Sequence, residues 1–154
     1  MSGNLVRFES ATKSNTDLVL RFMQELYDHD GTIVFDGVRA RAALEQLISR
    51  PAYGGVWLIV EAERAIGYVV LTLGYSLEYH GVDAFLDEIY ITSESRDRGI
   101  GTAALRFLED KCLELGVNAL HLEVERANTR AQEFYRRGGF VDHDRYLLTK
   151  RIKE

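Results

Sequence analysis

The sequence is poor in the residues that cross-link or interrupt a chain. Among its 154 residues there are one cysteine, Cys112, and one proline, Pro51. A single cysteine excludes an internal disulfide framework and any zinc site built on several cysteines. The sequence also lacks repeats and low-complexity stretches, so it offers no obvious place for a domain boundary. We therefore expect one domain over residues 1–154, in line with the ~100–200 residues of a typical domain.

Other absences narrow the classes of function. The apolar runs are far shorter than the ~20 residues of a membrane span, and the first ten residues lack the pattern of a signal peptide. We expect no membrane partner and a cytoplasmic location. We also expect no metal site, because the four histidines show no metal-binding spacing: His29, His80, His121 and His143.

The charge balance argues against a nucleic-acid partner. The chain has 19 lysines and arginines against 24 aspartates and glutamates, which gives a net charge of -5. It therefore lacks the basic field on which nonspecific nucleic-acid binding depends. A cationic small molecule fits this balance better. Hydrophobic residues make up 46% of the chain, enough for a sizeable core.

Hydrophobic periodicity predicts an α/β fold, which some conventions name α+β. Capping residues at 14–17 precede a helix of about three turns. Two predicted strands on either side of a turn at 61–64 form an antiparallel hairpin. A long helix between two strands implies at least one parallel strand pair, because antiparallel neighbours need no crossover. The remaining elements are predicted as strands over 5–8, 56–60, 65–73, 85–92, 119–124, 140–141 and 146–152, and as helices over 38–48, 100–115 and 129–137.

A glycine-containing turn lies between the predicted strand 85–92 and the long helix. It has the spacing R-x-x-G-x-G, from Arg96 to Gly101. Glycines permit a tight turn, and the following helix N-terminus presents unpaired N–H groups and a partial positive charge. The turn suits a pyrophosphate, to which Arg96 and Arg98 can add charge-assisted contacts. Neither the lysine of a P-loop nor a G-x-G-x-x-G order is present, which disfavours nucleotide hydrolysis and nicotinamide chemistry.

A second motif, N-x-x-A-x-x-F-Y-x-x-x-G-F, runs from Asn128 to Phe140. Together with the R-x-x-G-x-G turn and its preceding strand, it resembles the GCN5-related N-acetyltransferase (GNAT) superfamily over residues 87–141. The resemblance implies a mixed, mostly antiparallel central sheet with a parallel, splayed strand pair and about four helices. It also implies an enzyme that uses acetyl-CoA. Homodimers are common in this family, although no segment identifies an interface.

The resemblance assigns residues to the cofactor. In this family the R-x-x-G-x-G turn binds the pyrophosphate, and main-chain groups of the preceding strand pair with the pantetheine arm. The asparagine of the second motif holds the cofactor arm, a role compatible with capping a helix. The implied cofactor-binding residues are Ile89, Tyr90, Ile91, Arg96, Asp97, Arg98, Gly99, Ile100, Gly101, Thr102, Asn128, Ala131, Phe134 and Tyr135.

Acetyl transfer to an amine requires an uncharged nucleophile, donors for the oxyanion and a proton for the departing thiolate. Tyr135 matches the family tyrosine that protonates the CoA sulfur, and with a usual pKa of ~10 it is protonated at neutral pH. The candidate bases are Asp87, Glu88 and Glu123. Because adjacent strand residues point to opposite faces, we do not expect Asp87 and Glu88 to share one acceptor site. Their resemblance to the acidic pair of polyamine acetyltransferase-like members slightly favours Asp87.

The acceptor site is expected to combine carboxylates with aromatic rings, which receive a cationic amine by charge and cation–π contact. The segments that line it in this family supply the candidates Tyr27, Asp28, His29, Glu78 and Tyr79. The favoured function is acetyl transfer from acetyl-CoA to a small primary amine, such as a polyamine, amino acid or aminoglycoside-like compound, by direct attack in a ternary complex. The alternatives are peptide or protein N-acetylation and a CoA-binding sensor without turnover.

Overall fold

The structure, a computed structural model, describes residues 5–31 and 33–153. It divides into two compact units, Met1–Glu123 and Val124–Glu154. The second unit contains helix α4, Thr129–Arg137. The elements of the first unit are β1 Arg7–Ser10, α1 Thr16–Asp30, α2 Gly37–Ser49, β2 Gly54–Glu61, β3 Arg64–Ser76, β4 Gly81–Ile91, α3 Ile100–Glu114 and β5 Ala119–His121.

The strands form one mixed sheet in the order β1-β2-β3-β4-β5. The first four strands are antiparallel neighbours, whereas β4 and β5 are parallel. This confirms the expected parallel pair joined by the long helix α3. In the turn of the β2–β3 hairpin, Ala62 and Glu63 both have positive φ, 45° and 64°. Two such residues match the twist of the flanking strands, which explains the tight connection.

Helices cover both faces of the sheet. We call the face that packs against α1 and α2 the α1 face. On the opposite face, the Phe107 ring of α3 stacks on Phe8 at 4.4 Å and meets Trp57 edge-on at 5.4 Å. Cys112, also on α3, is buried, as its place on the apolar stripe predicts. The core of the α1 face consists of Val19, Leu20, Phe22, Leu44, Val56, Leu58, Val60, Tyr68, Val70 and Tyr90.

A β-bulge interrupts β4 at Asp87. Val70 lies opposite Glu88, but the next residue of β3, Leu71, lies opposite Leu86, so Asp87 is an extra residue. Val70 belongs to the core of the α1 face, which places its partner Glu88 on that face. Leu86 points the other way with Leu71, so Asp87, the residue after it, also turns to the α1 face. The expectation that the two carboxylates lie on opposite faces is therefore wrong, because the bulge breaks the two-residue period.

The parallel pair opens after three residues. Strand β5 pairs with β4 only from Asp83 to Phe85, and the last rung joins Phe85 to His121. We call this rung the fork. Beyond it, β4 continues to Ile91 with β3 on one side, and no described strand pairs with its other side. The expected splay of the parallel pair is present.

Four predicted strands depart most from the structure. Strand β1 begins at Arg7 rather than at residue 5, and β5 ends at His121 rather than at residue 124, because its ladder with β4 stops at the fork. The predicted strands 140–141 and 146–152 do not form: described residues 140–153 have no helix or strand. A strand requires a hydrogen-bonded neighbour, and the apolar side chains of this segment remain mostly exposed: Val141, Tyr146, Leu147, Leu148 and Ile152.

Candidate functional site

The turn before α3 is open to an anionic ligand. Gly99 has a φ of +80° and precedes the helix, and no side chain caps this helix end. The first N–H groups of a helix have no partner within it, so they remain available at the positive end of the helix dipole. A Cβ added at Gly99 would meet no atom within 4 Å. The space above the turn is therefore open to an anionic group such as a diphosphate.

The two arginines of this turn brace it against neighbouring strands. The Arg96 Nε donates to the Ile91 carbonyl at 2.9 Å, and its guanidinium lies 5.6 Å from the centre of the Tyr90 ring. The Arg98 guanidinium donates to both carboxylate oxygens of Glu61, at 3.2 and 2.6 Å. A guanidinium has five N–H donors, so each arginine retains donors for a phosphate.

The edge of β4 beyond the fork fits an extended cofactor arm. From Leu86 to Ile91, the backbone groups on the side away from β3 belong to no ladder within the described residues. An extended ligand can add to such an edge as a further strand. This segment contains Ile89, Tyr90 and Ile91, which the resemblance assigns to the pantetheine arm.

Two tyrosines hold the Glu88 carboxylate, and we call these three residues the Glu88 cluster. Tyr27 of α1 donates to the Glu88 Oε2 at 2.5 Å, and Tyr68 of β3 donates to the Oε1 at 3.0 Å. Burial raises the pKa of Glu88 against the two hydrogen bonds, which lower it, and the charges of Asp87 and Asp30 raise it further. Burial and the Glu88 carboxylate also raise the pKa of both tyrosines, so both remain hydrogen-bond donors.

The structure brings only some of the predicted residues together. Tyr27 and Glu88 are hydrogen-bonded on the α1 face, and Asp87 lies next to Glu88 with an exposed side chain, where desolvation by the surrounding protein raises its pKa. The other candidates lie apart from this cluster. Asp28 and His29 are exposed at the end of α1, Glu78 is exposed in the turn before β4, and Glu123 is exposed after β5.

Sequence reasoning missed Tyr68 and His121. The available signal for Tyr68 is its hydroxyl within the apolar run of β3, where a buried tyrosine needs a partner. His121 lies at the fork, and its Nε2 is 3.1 Å from the Asp83 Oδ2. Its ring also meets the rings of Tyr79 at 5.0 Å and Phe85 at 5.2 Å. In residues 5–31 and 33–153, no three histidine, cysteine or acidic side chains are arranged to hold a metal ion.

In the second unit, Asn128 directly precedes α4 and Tyr135 lies on it. Asn128 caps the helix, since its Oδ1 accepts a hydrogen bond from the Ala131 N–H at 3.1 Å. The Tyr135 ring contacts Phe134 and Phe140, with ring centres 5.1 and 5.8 Å apart. Burial raises the pKa of Tyr135, which keeps its hydroxyl protonated at neutral pH. This is the protonation state that a general acid requires.

Comparison with known proteins gives a family match and one curated relative. The model of the acetyltransferase (GNAT) family matches residues 20–140. The thialysine N-epsilon-acetyltransferase of Bos taurus is 31% identical over 77 residues, which cover 50% of this chain and 45% of the relative. The chain thus spans about half the length of that curated relative.

Solved structures share the fold. An integron cassette protein from the mobile metagenome of Cole Harbour Salt Marsh is 33% identical, with a TM-score of 0.84 over 96% of this chain and 91% of that chain. A predicted acetyltransferase of Clostridium acetobutylicum, solved with acetyl-CoA, is 15% identical, with a TM-score of 0.80 over 95% and 96%. An aminoglycoside N-acetyltransferase in complex with CoA is 14% identical, with a TM-score of 0.81 over 98% and 97%. No helix in the described ranges is long and apolar enough to cross a membrane.

Proposed function

Because this chain belongs to the GNAT family of acetyl-CoA-dependent acetyltransferases, we propose that it transfers the acetyl group of acetyl-CoA to a primary amine of a small molecule. The acceptor class comprises polyamines, amino acids and aminoglycoside-like compounds. The observation that carries the proposal is the Glu88 cluster, a partly buried carboxylate on the strand whose open edge fits the cofactor arm. The curated relative is named for thialysine, a small amine, and one structural neighbour for aminoglycosides.

The Glu88 cluster suits an ammonium group. An alkylamine is mostly protonated at neutral pH, and Glu88 and Asp87 place two carboxylates on the same face of the sheet. Within the part of the chain that the structure describes, Glu88 has hydrogen bonds from Tyr27 and Tyr68 but no ion pair with a lysine or arginine. A partly buried charge without a countercharge is unfavourable. A cationic ligand would supply that countercharge, and the tyrosines fix the direction of the carboxylate toward it.

The other roles in the proposed reaction concern the cofactor, which would lie along β4. The α3 N-terminus and the turn from Arg96 to Thr102 hold the pyrophosphate, the backbone of residues 89–91 aligns the arm, and Asn128 holds it. Acetyl-CoA supplies the acetyl group as an activated thioester. Because the pyrophosphate lies at the end of β4, the thioester end points back along the strand toward Asp87 and the fork. Tyr135 then protonates the departing thiolate, and the amine attacks directly in a ternary complex.

Product formation tests the proposal. Labelled acetyl-CoA is incubated with spermidine, lysine, thialysine, an aminoglycoside and a lysine-containing peptide, and acetylated products are separated and counted. We expect transfer to at least one small amine, with a higher kcat/KM than for the peptide. A preference for the peptide would instead show protein acetylation. Tight CoA binding with no transfer to any acceptor would show a sensor.

A further inference from the structure

A histidine and an aspartate form a pair where the sheet divides. The Nε2 of His121 on β5 lies 3.1 Å from the Oδ2 of Asp83 on β4, and the two side chains are only 20% and 15% exposed. The other carboxylate oxygen of Asp83 lies over Gly74 of β3, where an added Cβ would stand 2.8 Å from it. The rings of Tyr79 and Phe85 contact the imidazole. The surrounding residues thus restrict the orientation of both the Asp83 and the His121 side chain.

This pairing determines which ring nitrogen is basic. An ionised carboxylate can only accept hydrogen bonds, so the Nε2 that faces Asp83 carries the hydrogen of the neutral ring. The lone pair is then on Nδ1, which has no hydrogen-bond partner among the described residues. A neutral imidazole held in one tautomer by a carboxylate is a well-placed proton acceptor.

The pair lies on the same face as the Glu88 cluster. Val70 belongs to the core of the α1 face, so Thr72, two residues along β3, also points there, as does its partner Phe85. His121 forms a rung with Phe85 and therefore shares this face. On the path proposed above, the thioester end of the cofactor points from the α3 turn toward this rung. An amine held at Glu88 then lies between the cofactor arm and the fork.

The carboxylates considered from the sequence are less suited to take the proton. Both oxygens of Glu88 already accept hydrogen bonds, from Tyr27 and Tyr68, an arrangement that binds a cation but engages the basic sites. Glu123 is exposed beyond the end of β5, where nothing in the described structure orients it. Asp87 remains the carboxylate to compare with His121.

We propose that the Nδ1 of His121 accepts a proton from the ammonium group of the acceptor, and that Asp83 is the positioning residue that holds the imidazole for this step. The inference rests on the proposed amine acetylation. The neutral nitrogen forms a bond to the acetyl carbon and the carbon–sulfur bond breaks. Of the two protons that the nitrogen loses, one passes through His121 to solvent. The other balances the proton that the departing thiolate takes up.

The ionisable groups around His121 are included in the test. Asp83 contacts it from β4, Asp87 lies further along the same face of β4, Tyr79 contacts it from the turn before β4, and Glu123 lies two residues after it, beyond the end of β5. If Asp87 were the proton acceptor instead, Asp87→Asn would cause the larger loss in kcat. The variants of both residues are therefore measured side by side.

The first experiment removes the imidazole and returns it from solution. We expect His121→Ala and His121→Gln to lower kcat by about 100-fold or more, the usual scale for a general base, with the KM for acetyl-CoA within about 2-fold. Added imidazole should restore part of the lost rate in His121→Ala, whose cavity can hold it, and much less in His121→Gln. The loss of kcat relative to the wild type should become smaller between about pH 7 and pH 9.5, because a larger fraction of the amine is then neutral without a general base.

The second experiment moves the aspartate and leaves the histidine in place. Gly74→Ala displaces the Asp83 carboxylate without removing any functional group, and Asp83→Asn removes its charge. Both should lower kcat, with Asp83→Asn the stronger, whereas Asp110→Asn on the exposed surface of α3 should not. A further readout needs no turnover. Nitrogen-15 spectra of the wild-type histidines should show His121 protonated at Nε2, and Asp83→Asn should shift that signal.

Several results would overturn the inference. A folded His121→Gln protein with wild-type kcat would do so, as would a loss that neither imidazole nor higher pH relieves, or an Nδ1-protonated ring. If only Asp87→Asn shows a loss of kcat that becomes smaller at higher pH, Asp87 is the proton acceptor. Failure of the proposed function is distinguishable, because the wild-type protein would then acetylate no amine in the panel before any variant is compared.

Discussion

Glu88 is a carboxylate that the fold partly removes from water without providing a cationic partner. Burial raises its pKa, and the hydroxyls of Tyr27 and Tyr68 only partly oppose this effect. A carboxyl whose pKa is higher in the folded than in the unfolded state stabilises the fold in its protonated form. That contribution is present at low pH and is lost as the pH rises through the folded-state pKa. At neutral pH Glu88 therefore disfavours folding, which is typical of a residue retained for binding.

This predicts opposite effects on stability and activity in Glu88→Gln. The amide retains the volume, its oxygen accepts from one tyrosine hydroxyl, and its NH2 group donates to the oxygen of the other. It removes the charge, so we expect a Tm at pH 7 equal to or above that of the wild type. The kcat/KM for the amine should fall by about 10-fold or more, since a charge-assisted contact contributes ~1.5–3 kcal/mol. Thermal melts and initial rates measure both. The control is Glu109→Gln, an exposed position on α3 that should change neither. A lower Tm with unchanged kinetics would show a structural role.

Tyr135→Phe tests the proposed acid. We expect kcat to fall by about 100-fold or more, within the usual range for general acid–base catalysis, while the Kd for CoA changes by less than about 2-fold. Because burial raises the pKa of Tyr135 above its usual value of ~10, ionisation of this residue should not reduce wild-type activity below that pH. Rates and CoA titrations measure these effects. Tyr146→Phe, at an exposed tyrosine of the same unit, is the control. Equal rates for both variants across the pH range would exclude Tyr135 as the acid.

At the scale of elements, α3 lies between two glycines whose backbone is in the left-handed conformation. Gly99 precedes the helix with a φ of +80°, and Gly116 follows it with a φ of +69°. An added Cβ would meet no atom within 4 Å at either position. The two ends are therefore equivalent in backbone strain and in space, but only the first is at the positive end of the helix dipole. The chain thus contains an internal control for the proposed pyrophosphate turn.

Valine at each glycine separates folding from binding. Both Gly99→Val and Gly116→Val should lose roughly 1–2 kcal/mol of stability, the cost of a left-handed conformation for a residue with a side chain. Only Gly99→Val should weaken CoA binding, by about 10-fold or more, because its side chain would fill the space above the N–H groups. Denaturant melts and calorimetric CoA titrations measure the two effects. Wild-type affinity in Gly99→Val, or equal losses of affinity in both variants, would show that the pyrophosphate lies elsewhere.

Local patterns predict elements, but they do not predict register. Helix α4 has the predicted bounds, 129–137, because its cap at Asn128 and its following glycines are local signals. The bulge at Asp87 depends on how β3 pairs with β4, and no short segment encodes that pairing. The Tyr27–Glu88 and Asp83–His121 contacts join residues 61 and 38 positions apart. The family motifs could therefore indicate the carboxylates, whereas the hydrogen-bonded partners of Glu88 and the histidine at the fork required the fold.

At the scale of the whole molecule, the charge of the chain and the charge of the site are separate quantities. The net charge of -5 acts on any cation that approaches the protein. In contrast, Asp83, Asp87 and Glu88 lie on one face of the sheet, where the proposed site would place them at short range from a bound amine. The two contributions differ in their response to salt, because distant surface charges are screened over a Debye length that falls from ~30 Å at 0.01 M to ~8 Å at 0.15 M.

Two variants of equal net charge distinguish these contributions. Glu88→Gln and Glu109→Gln each remove one negative charge from the net -5, the first from the site and the second from the exposed surface of α3. We expect the wild-type KM for a diamine to rise several-fold over this ionic-strength range, and more steeply than that for a monoamine. If the site charge dominates, Glu88→Gln flattens the salt dependence and Glu109→Gln leaves it unchanged. Equal flattening in both variants would show that the net charge of the chain, and not the carboxylates beside the fork, attracts the acceptor.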